Sequence, residues 1–247
     1  MKFKGKHILL IGGTSDVGIA IARALAQKEA RLTLTARNVA SLETLVSDFE
    51  IRYQNKPNII ELDVTQFDKH QEIISGLKED LYGAITCVGY LDNQKESQQT
   101  WEEALNSIQV NYTGLVSLNN IIANILQEKR SGFILGISSV AGDRGRGSNY
   151  IYGSAKAGFT TYLDGLRNRL HRHGVHVMTV KPGFITTKMT EHLHLSGPLT
   201  ASPERVAKEV LSGIKNGKNT LYTKWIWKWI MFIIGAIPEF MFKKMKL

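Results

Sequence analysis

Short apolar runs alternate with longer amphipathic stretches along the chain, and the alternation predicts the architecture. Residues 6–11, 31–35, 58–62, 83–87, 132–137, 175–180 and 219–222 read as buried strands. Helical periodicity covers 17–28, about 38–52, 66–80, the long stretch 98–129, and 150–173. Ser202-Pro203-Glu204 opens a further helix that ends near Gly217, with a serine N-cap, a proline at the first helical position and an acid in the first turn. Short apolar strands separated by helices mean parallel βαβ units with helices on both faces of one sheet. The expected fold class is α/β: one domain, a doubly wound parallel sheet of about seven strands, with ligands at the carboxyl ends of the strands. The longest non-periodic stretch, 186–201, reads as a lid over that edge.

Composition narrows the class. At 247 residues, 43% hydrophobic and 21% charged, the chain can bury one sizeable core and is not a disordered segment. Its single cysteine, Cys87, excludes an intramolecular disulfide. The start is basic, but the apolar run after it is short and ends in glycines, unlike a secretory leader, so the cytoplasm is the expected compartment. The net charge of +9 is uneven: between positions 215 and 247 seven lysines face one acid, Glu239. A uniformly basic surface would suggest nucleic acid; a basic tail does not, and no nucleic-acid partner is expected.

Several local patterns carry chemistry. The first strand runs into Gly12-Gly13-Thr14-Ser15-Asp16-Val17-Gly18 and then a helix. Such a turn lets the backbone approach a pyrophosphate, while the helix N-terminus supplies N–H donors and a positive dipole end. This is the dinucleotide turn of a Rossmann fold; a tight turn with no ligand is the plainer alternative. After the second strand comes Arg37, with no acid at 35 or 36, which favours the 2′-phosphate of NADP over NAD. Asp63, after the third strand, suits the adenine amino group or, more plainly, a cap for the following helix. Finally, Tyr152 and Lys156 stand at i and i+4 on one helix face. An ammonium beside a phenol lowers its ordinary pKa of about 10 and makes it a usable acid near neutrality. Ser138-Ser139, after the fifth strand, can bond a substrate oxygen.

Over nearly all of residues 5–222 these features resemble the short-chain dehydrogenase/reductase family. The resemblance implies Ser139 orienting a carbonyl, Tyr152 donating the proton, and Lys156 binding the nicotinamide ribose. Asn111, in Val110-Asn111-Tyr112-Thr113-Gly114, matches the family asparagine that holds a relay water, completing a catalytic set of Asn111, Ser139, Tyr152 and Lys156. The cofactor site it implies comprises Gly12, Thr14, Ser15, Asp16, Val17, Gly18, Arg37, Asp63, Val64, Gly89, Tyr152 and Lys156. Pro182, Gly183, Ile185 and Thr187, from the Pro-Gly segment after the sixth strand, complete that site. A homo-oligomer formed through the long helices is also implied. Two departures stand out. Ile11 and Asp16 replace a threonine and the middle glycine of the family turn, and Thr86-Cys87-Val88-Gly89 replaces Asn-Asn-Ala-Gly. Cys87 reads as a small buried hydrophobe. His192 and His194 lack a third ligand, so no metal is expected; His171, His173 and His176 suit a helix end.

Residues 1–222 form the expected NADP-binding domain, and 223–247 a basic aromatic tail. Its uncharged run, 229–237, is nine residues, short of the roughly 20 needed to span a bilayer. Trp225, Trp227 and Trp229 among lysines, then Phe240-Met241-Phe242 before Lys243-Lys244, have the composition of an anionic membrane interface. An oligomer contact or substrate lid is the competing use. The glycine turn and the tail together resemble, more loosely, decaprenylphosphoryl keto-pentose reductases, which implies a keto-sugar on a polyprenyl phosphate, handled peripherally at the inner face of the membrane. A 3-ketoacyl or steroid-like ketone is the rival substrate; a non-catalytic cofactor-binding membrane adaptor is the rival of another class.

Overall fold

Residues 3–191 and 197–245 are described by the computed structural model; His192 and His194 lie outside them. The apolar runs become seven strands: β1 (His7–Ile11), β2 (Arg31–Ala36), β3 (Asn58–Glu61), β4 (Leu81–Thr86), β5 (Phe133–Ile137), β6 (His176–Pro182) and β7 (Thr220–Thr223). All neighbours pair in parallel, in the order β3-β2-β1-β4-β5-β6-β7. The order reverses between β1 and β4, so a crevice opens at their carboxyl ends.

Alternation along each strand feeds two cores. Ile8 and Leu10 of β1 face one, Leu9 and Ile11 the other. Helices α1 (Asp16–Ala26), α2 (Glu43–Tyr53) and α8 (Pro203–Lys215) cover the first face. On the second lie α3 (Phe67–Ser75), α6 (Gly114–Lys129) and α7 (Tyr150–His171). The doubly wound sheet follows from this two-sided burial.

The long helical stretch 98–129 is broken. Short helices α4 (Gln94–Ser97) and α5 (Trp101–Ile108) precede a π turn, Gln109–Thr113, before α6 begins. A π turn inserts a residue into the helical ladder and commonly marks a functional position; here Asn111 is at its centre. The helix read over 66–80 ends at Ser75, because β4 begins at Leu81.

The tail is folded. After β7 come α9 (Ile226–Ala236) and α10 (Glu239–Phe242). Trp227 and Met231, one turn apart, are buried with Val140 against Leu199, Tyr222, Ile230 and Ile234. The sequence reading put Trp225, Trp227 and Trp229 together at an interface; the structure makes Trp227 core and leaves Trp225 and Trp229 exposed. Arg144 fastens the far end, donating to the Gly235 carbonyl at 2.9 Å and to Glu239 at 2.8 Å, with its guanidinium over the Phe242 ring. Among the described residues no helix is long and apolar enough to cross a membrane.

Candidate active site

The glycine turn is built by its own hydrogen bonds. Ser15 caps α1, accepting from the Gly18 N–H at 3.0 Å and donating to the Gly12 carbonyl at 2.9 Å. Gly12 has φ of +95°, and a Cβ there would sit 3.0 Å from the Cys87 carbonyl, so only glycine brings the end of β1 this close to the end of β4. Thr35, at the end of β2, holds the turn from below: its carbonyl accepts from Gly13 N–H at 2.8 Å. Arg37 follows at the exposed rim. Asp63 accepts through Oδ1 from the backbone N–H and hydroxyl of Thr65, at 2.9 and 2.8 Å, fixing its own loop rather than capping α3.

These residues line a cleft of about 550 Å³, a volume suited to a cofactor. The expected cofactor residues Gly12, Thr14, Ser15, Asp16, Val17, Arg37, Asp63, Val64, Gly89, Tyr152, Lys156, Pro182, Gly183, Ile185 and Thr187 all lie on its walls. Gly18 does not: it lies behind the turn, where the Gly12 carbonyl, Ser15 and Leu10 leave its α-carbon no further room. The set fits a dinucleotide. Its turn offers N–H donors at a helix N-terminus, the approach at Gly12 carries no side chain, and a guanidinium stands at the rim. Asp16 does not spoil this fit, since its Oδ2 accepts from the Lys188 N–H at 2.8 Å.

The same cleft is lined by Ser139, after β5, and by Tyr152 and Lys156, in the first turns of α7. Ser139 Oγ accepts from the Ala141 N–H at 3.1 Å and is near enough to the Tyr152 hydroxyl to lower its pKa. Burial pushes the Tyr152 phenol up to about 12, with the Ser139 hydroxyl opposing. Lys156 Nζ lies 5.8 Å from the Tyr152 ring centroid and donates to the Ile137 and Val88 carbonyls, at 3.3 and 3.4 Å. Burial pulls its ammonium down to about 8. Lys156, expected to lower the Tyr152 phenol, does not figure among the groups that shift it in the free protein, where burial of the phenol dominates. Cys87 is buried too, its thiol pushed up to about 12, and is no nucleophile.

Asn111 is set apart from the cleft wall. Its Nδ2 donates to the carbonyls of Tyr90 (2.7 Å) and Ser107 (2.9 Å), and its Oδ1 accepts from the Tyr90 N–H at 3.1 Å. Its side chain clamps the chain after β4. Asn111 Oδ1 and Lys156 Nζ both lie 3.6 Å from where a Cβ of Gly89 would stand, so the clamp fixes the wall facing the lysine.

Sequence reasoning missed Tyr90, Asn106, Lys188, Met189 and Thr190 on the walls. The last three fall in the non-periodic stretch, whose length was their signal; Tyr90, bonded to Glu103, had none. It also missed the support behind Gly183. The Trp227 indole lies where a Cβ of Gly183 would be, within 1.9 Å, and its Nε1 donates to the Leu199 carbonyl at 3.0 Å. The tail therefore buttresses the cleft.

Comparison with known proteins agrees with this geometry. The model of the short chain dehydrogenase family matches residues 6–196. An uncharacterized oxidoreductase of Mycobacterium tuberculosis is 30% identical over 241 residues, 96% of each chain. The ketoacyl reductase HetN of Nostoc is 28% identical over 220 residues, covering 86% of this chain and 76% of its own. Among solved structures, a short chain dehydrogenase from Burkholderia cenocepacia in complex with NADP superposes with a TM-score of 0.83 at 20% identity, covering 96% of this chain and 95% of the other. One from Sphingobium yanoikuyae in complex with NADPH gives 0.82 at 21%, over 95% and 97%. At these identities the two structures establish the shared fold.

Proposed function

The chain belongs to the short chain dehydrogenase family, and from that premise we propose that this oxidoreductase reduces a carbonyl with NADPH, using Ser139, Tyr152 and Lys156. The observation that carries the proposal is spatial: these three side chains line the same cleft as the glycine turn and Arg37. When bound, a reduced nicotinamide dinucleotide supplies a hydride for the carbonyl carbon. Arg37 binds the 2′-phosphate, and the N–H groups at the start of α1 bind the pyrophosphate. Ser139 Oγ donates to the substrate oxygen, and Tyr152 Oη delivers its proton there. Lys156, as the ammonium, favours the resulting phenolate and returns a proton to it. Asn111 is a positioning residue, clamping the Gly89–Tyr90 backbone beside that lysine.

The finer reading is a lipid-held carbonyl, such as a keto-sugar on a polyprenyl phosphate, met at an anionic membrane surface by a homo-oligomer. It is supported by the apolar face that α9 leaves exposed beside the cleft-supporting Trp227. The name of the Nostoc relative, a ketoacyl reductase, favours a 3-ketoacyl substrate as the second reading. The test is NADPH oxidation against a panel of keto-sugar lipids, ketoacyl thioesters and simple ketones. Tyr152→Phe is expected to lower turnover about 10²- to 10⁴-fold while still binding NADPH. Undiminished turnover in that variant would reject the assignment.

A further inference from the structure

The acid at the start of α1 is the least expected residue in the nucleotide turn, and it is engaged. Asp16 Oδ2 accepts the Lys188 backbone N–H at 2.8 Å, joining positions 172 apart in sequence. Lys188 opens a short 3-10 turn, Lys188–Thr190, held by its own hydrogen bonds: Thr187 and Thr190 form a reciprocal capping box, and the Thr190 hydroxyl donates to the Ile185 carbonyl. The near end of this segment is tied to the sheet side, where Thr186 N–H donates to the Ala201 carbonyl at 3.0 Å and Ala201 N–H to that of Phe184 at 2.9 Å. Its far end is tied to α1 by Asp16. Asp16, Thr187 and Lys188 line both the cleft and an outer groove over α1 and α8, so their contact forms the partition between the two.

We propose that Asp16 is a positioning residue that fixes the 185–190 segment over the dinucleotide cleft before the nucleotide arrives. The inference rests on the cofactor reading above. A carboxylate in the first turn of a helix is favoured by the dipole, and a backbone N–H to a carboxylate is a charge-assisted bond. Holding the segment beforehand removes part of the ordering entropy that nucleotide binding would otherwise have to overcome. Against this stands repulsion between the carboxylate and the pyrophosphate, so the two effects predict opposite signs on removing the acid.

The experiment compares the full chain with Asp16→Ala, Asp16→Gly and Asp16→Asn, reading NADPH affinity by nucleotide fluorescence and amide exchange at Lys188 in nucleotide-free protein. Asp16→Ala and Asp16→Gly are expected to weaken NADPH binding by about five- to tenfold, the worth of one charge-assisted hydrogen bond at a partly exposed site. They are also expected to speed exchange at Lys188. Asp16→Asn, which keeps an acceptor and drops the charge, should stay within about twofold of the parent on both readouts. Tighter NADPH binding in the Ala or Gly variants, or unchanged exchange at Lys188, overturns the proposal. If the parent binds no NADPH, the cofactor reading falls instead, and exchange at Lys188 alone decides whether Asp16 holds the segment.

Discussion

At the scale of single residues, the two titrating groups of the cleft divide the pH dependence between them. The Tyr152 phenol is pushed up to about 12 and the Lys156 ammonium down to about 8, both by burial. Since kcat/KM reports the free enzyme, its alkaline limb should lie near pH 8, where Lys156 loses the charge that favours phenolate, far below titration of the phenol. Lys156→Arg, which cannot lose its charge, should carry residual activity to higher pH; a parent profile flat to pH 10 would refute this. Stability moves with the same group. Its folded value is below its unfolded one, so between about 8 and 10.5 the unfolded chain binds more protons and stability rises with pH. Lys156→Met should therefore be inactive yet more stable by up to about 3 kcal/mol at pH 7, the advantage fading from pH 8 to 10.5 in denaturant titrations. Arg37→Asp should lower the preference for NADPH over NADH at least about tenfold, from loss of charged hydrogen bonds to the 2′-phosphate. Tyr152 and Lys156 were legible because helical spacing alone puts them on one face. Asn111 and Asp16 were named through the family resemblance, but the clamp of the one and the contact of the other were not legible, since a π turn and a contact across 172 residues leave no local pattern.

Among elements, α9 changes what the tail means. Its inner face, Trp227 and Met231, packs on Val140 beside Ser139, on Leu199 and over Gly183, touching three segments that meet at the cleft. Trp227→Ala leaves a cavity there and should cost about 3 to 5 kcal/mol in chemical denaturation. It should also lower kcat, because Val140 and Gly183 lose the surface that holds them; unchanged turnover at full folding would show the buttress to be passive. The strands and the other long helices could be read from the chain because each is apolar on alternate residues or on one stripe. The tail could not. It is apolar on both faces, with Trp227 and Met231 inside and Trp229, Phe232 and Ile233 outside, so composition was visible but sidedness was not. The break in the 98–129 stretch was hidden for a different reason: both halves keep helical periodicity, and only the asparagine clamp separates them.

For the whole molecule, the remaining question is what meets the outer face of α9. Trp229, Phe232 and Ile233 stand 54%, 67% and 63% exposed, joined by Trp225, Phe240 and Met241. Six of the nine net positive charges fall in residues 215–247, on the same end of the chain. Exposed apolar side chains with lysines close by in sequence suit an anionic bilayer, where each lysine near the surface contributes about 1 kcal/mol. Removing the tail at position 222 would be a poor test, because it would also strip Thr223 from β7 and Trp227 from behind Gly183 of the cleft wall. Replacing only the outer face, by Trp229→Ser with Phe232→Ser and Ile233→Ser, leaves the buttress in place. The parent is expected to sediment with vesicles of anionic lipid and to be released as salt rises, because screening weakens the lysine contribution. The triple variant should stay in the supernatant while oxidising NADPH with a soluble ketone at the parent rate. Equal partitioning of the two proteins, or binding indifferent to lipid charge, would remove the membrane from the function and leave this face to a second copy of the chain.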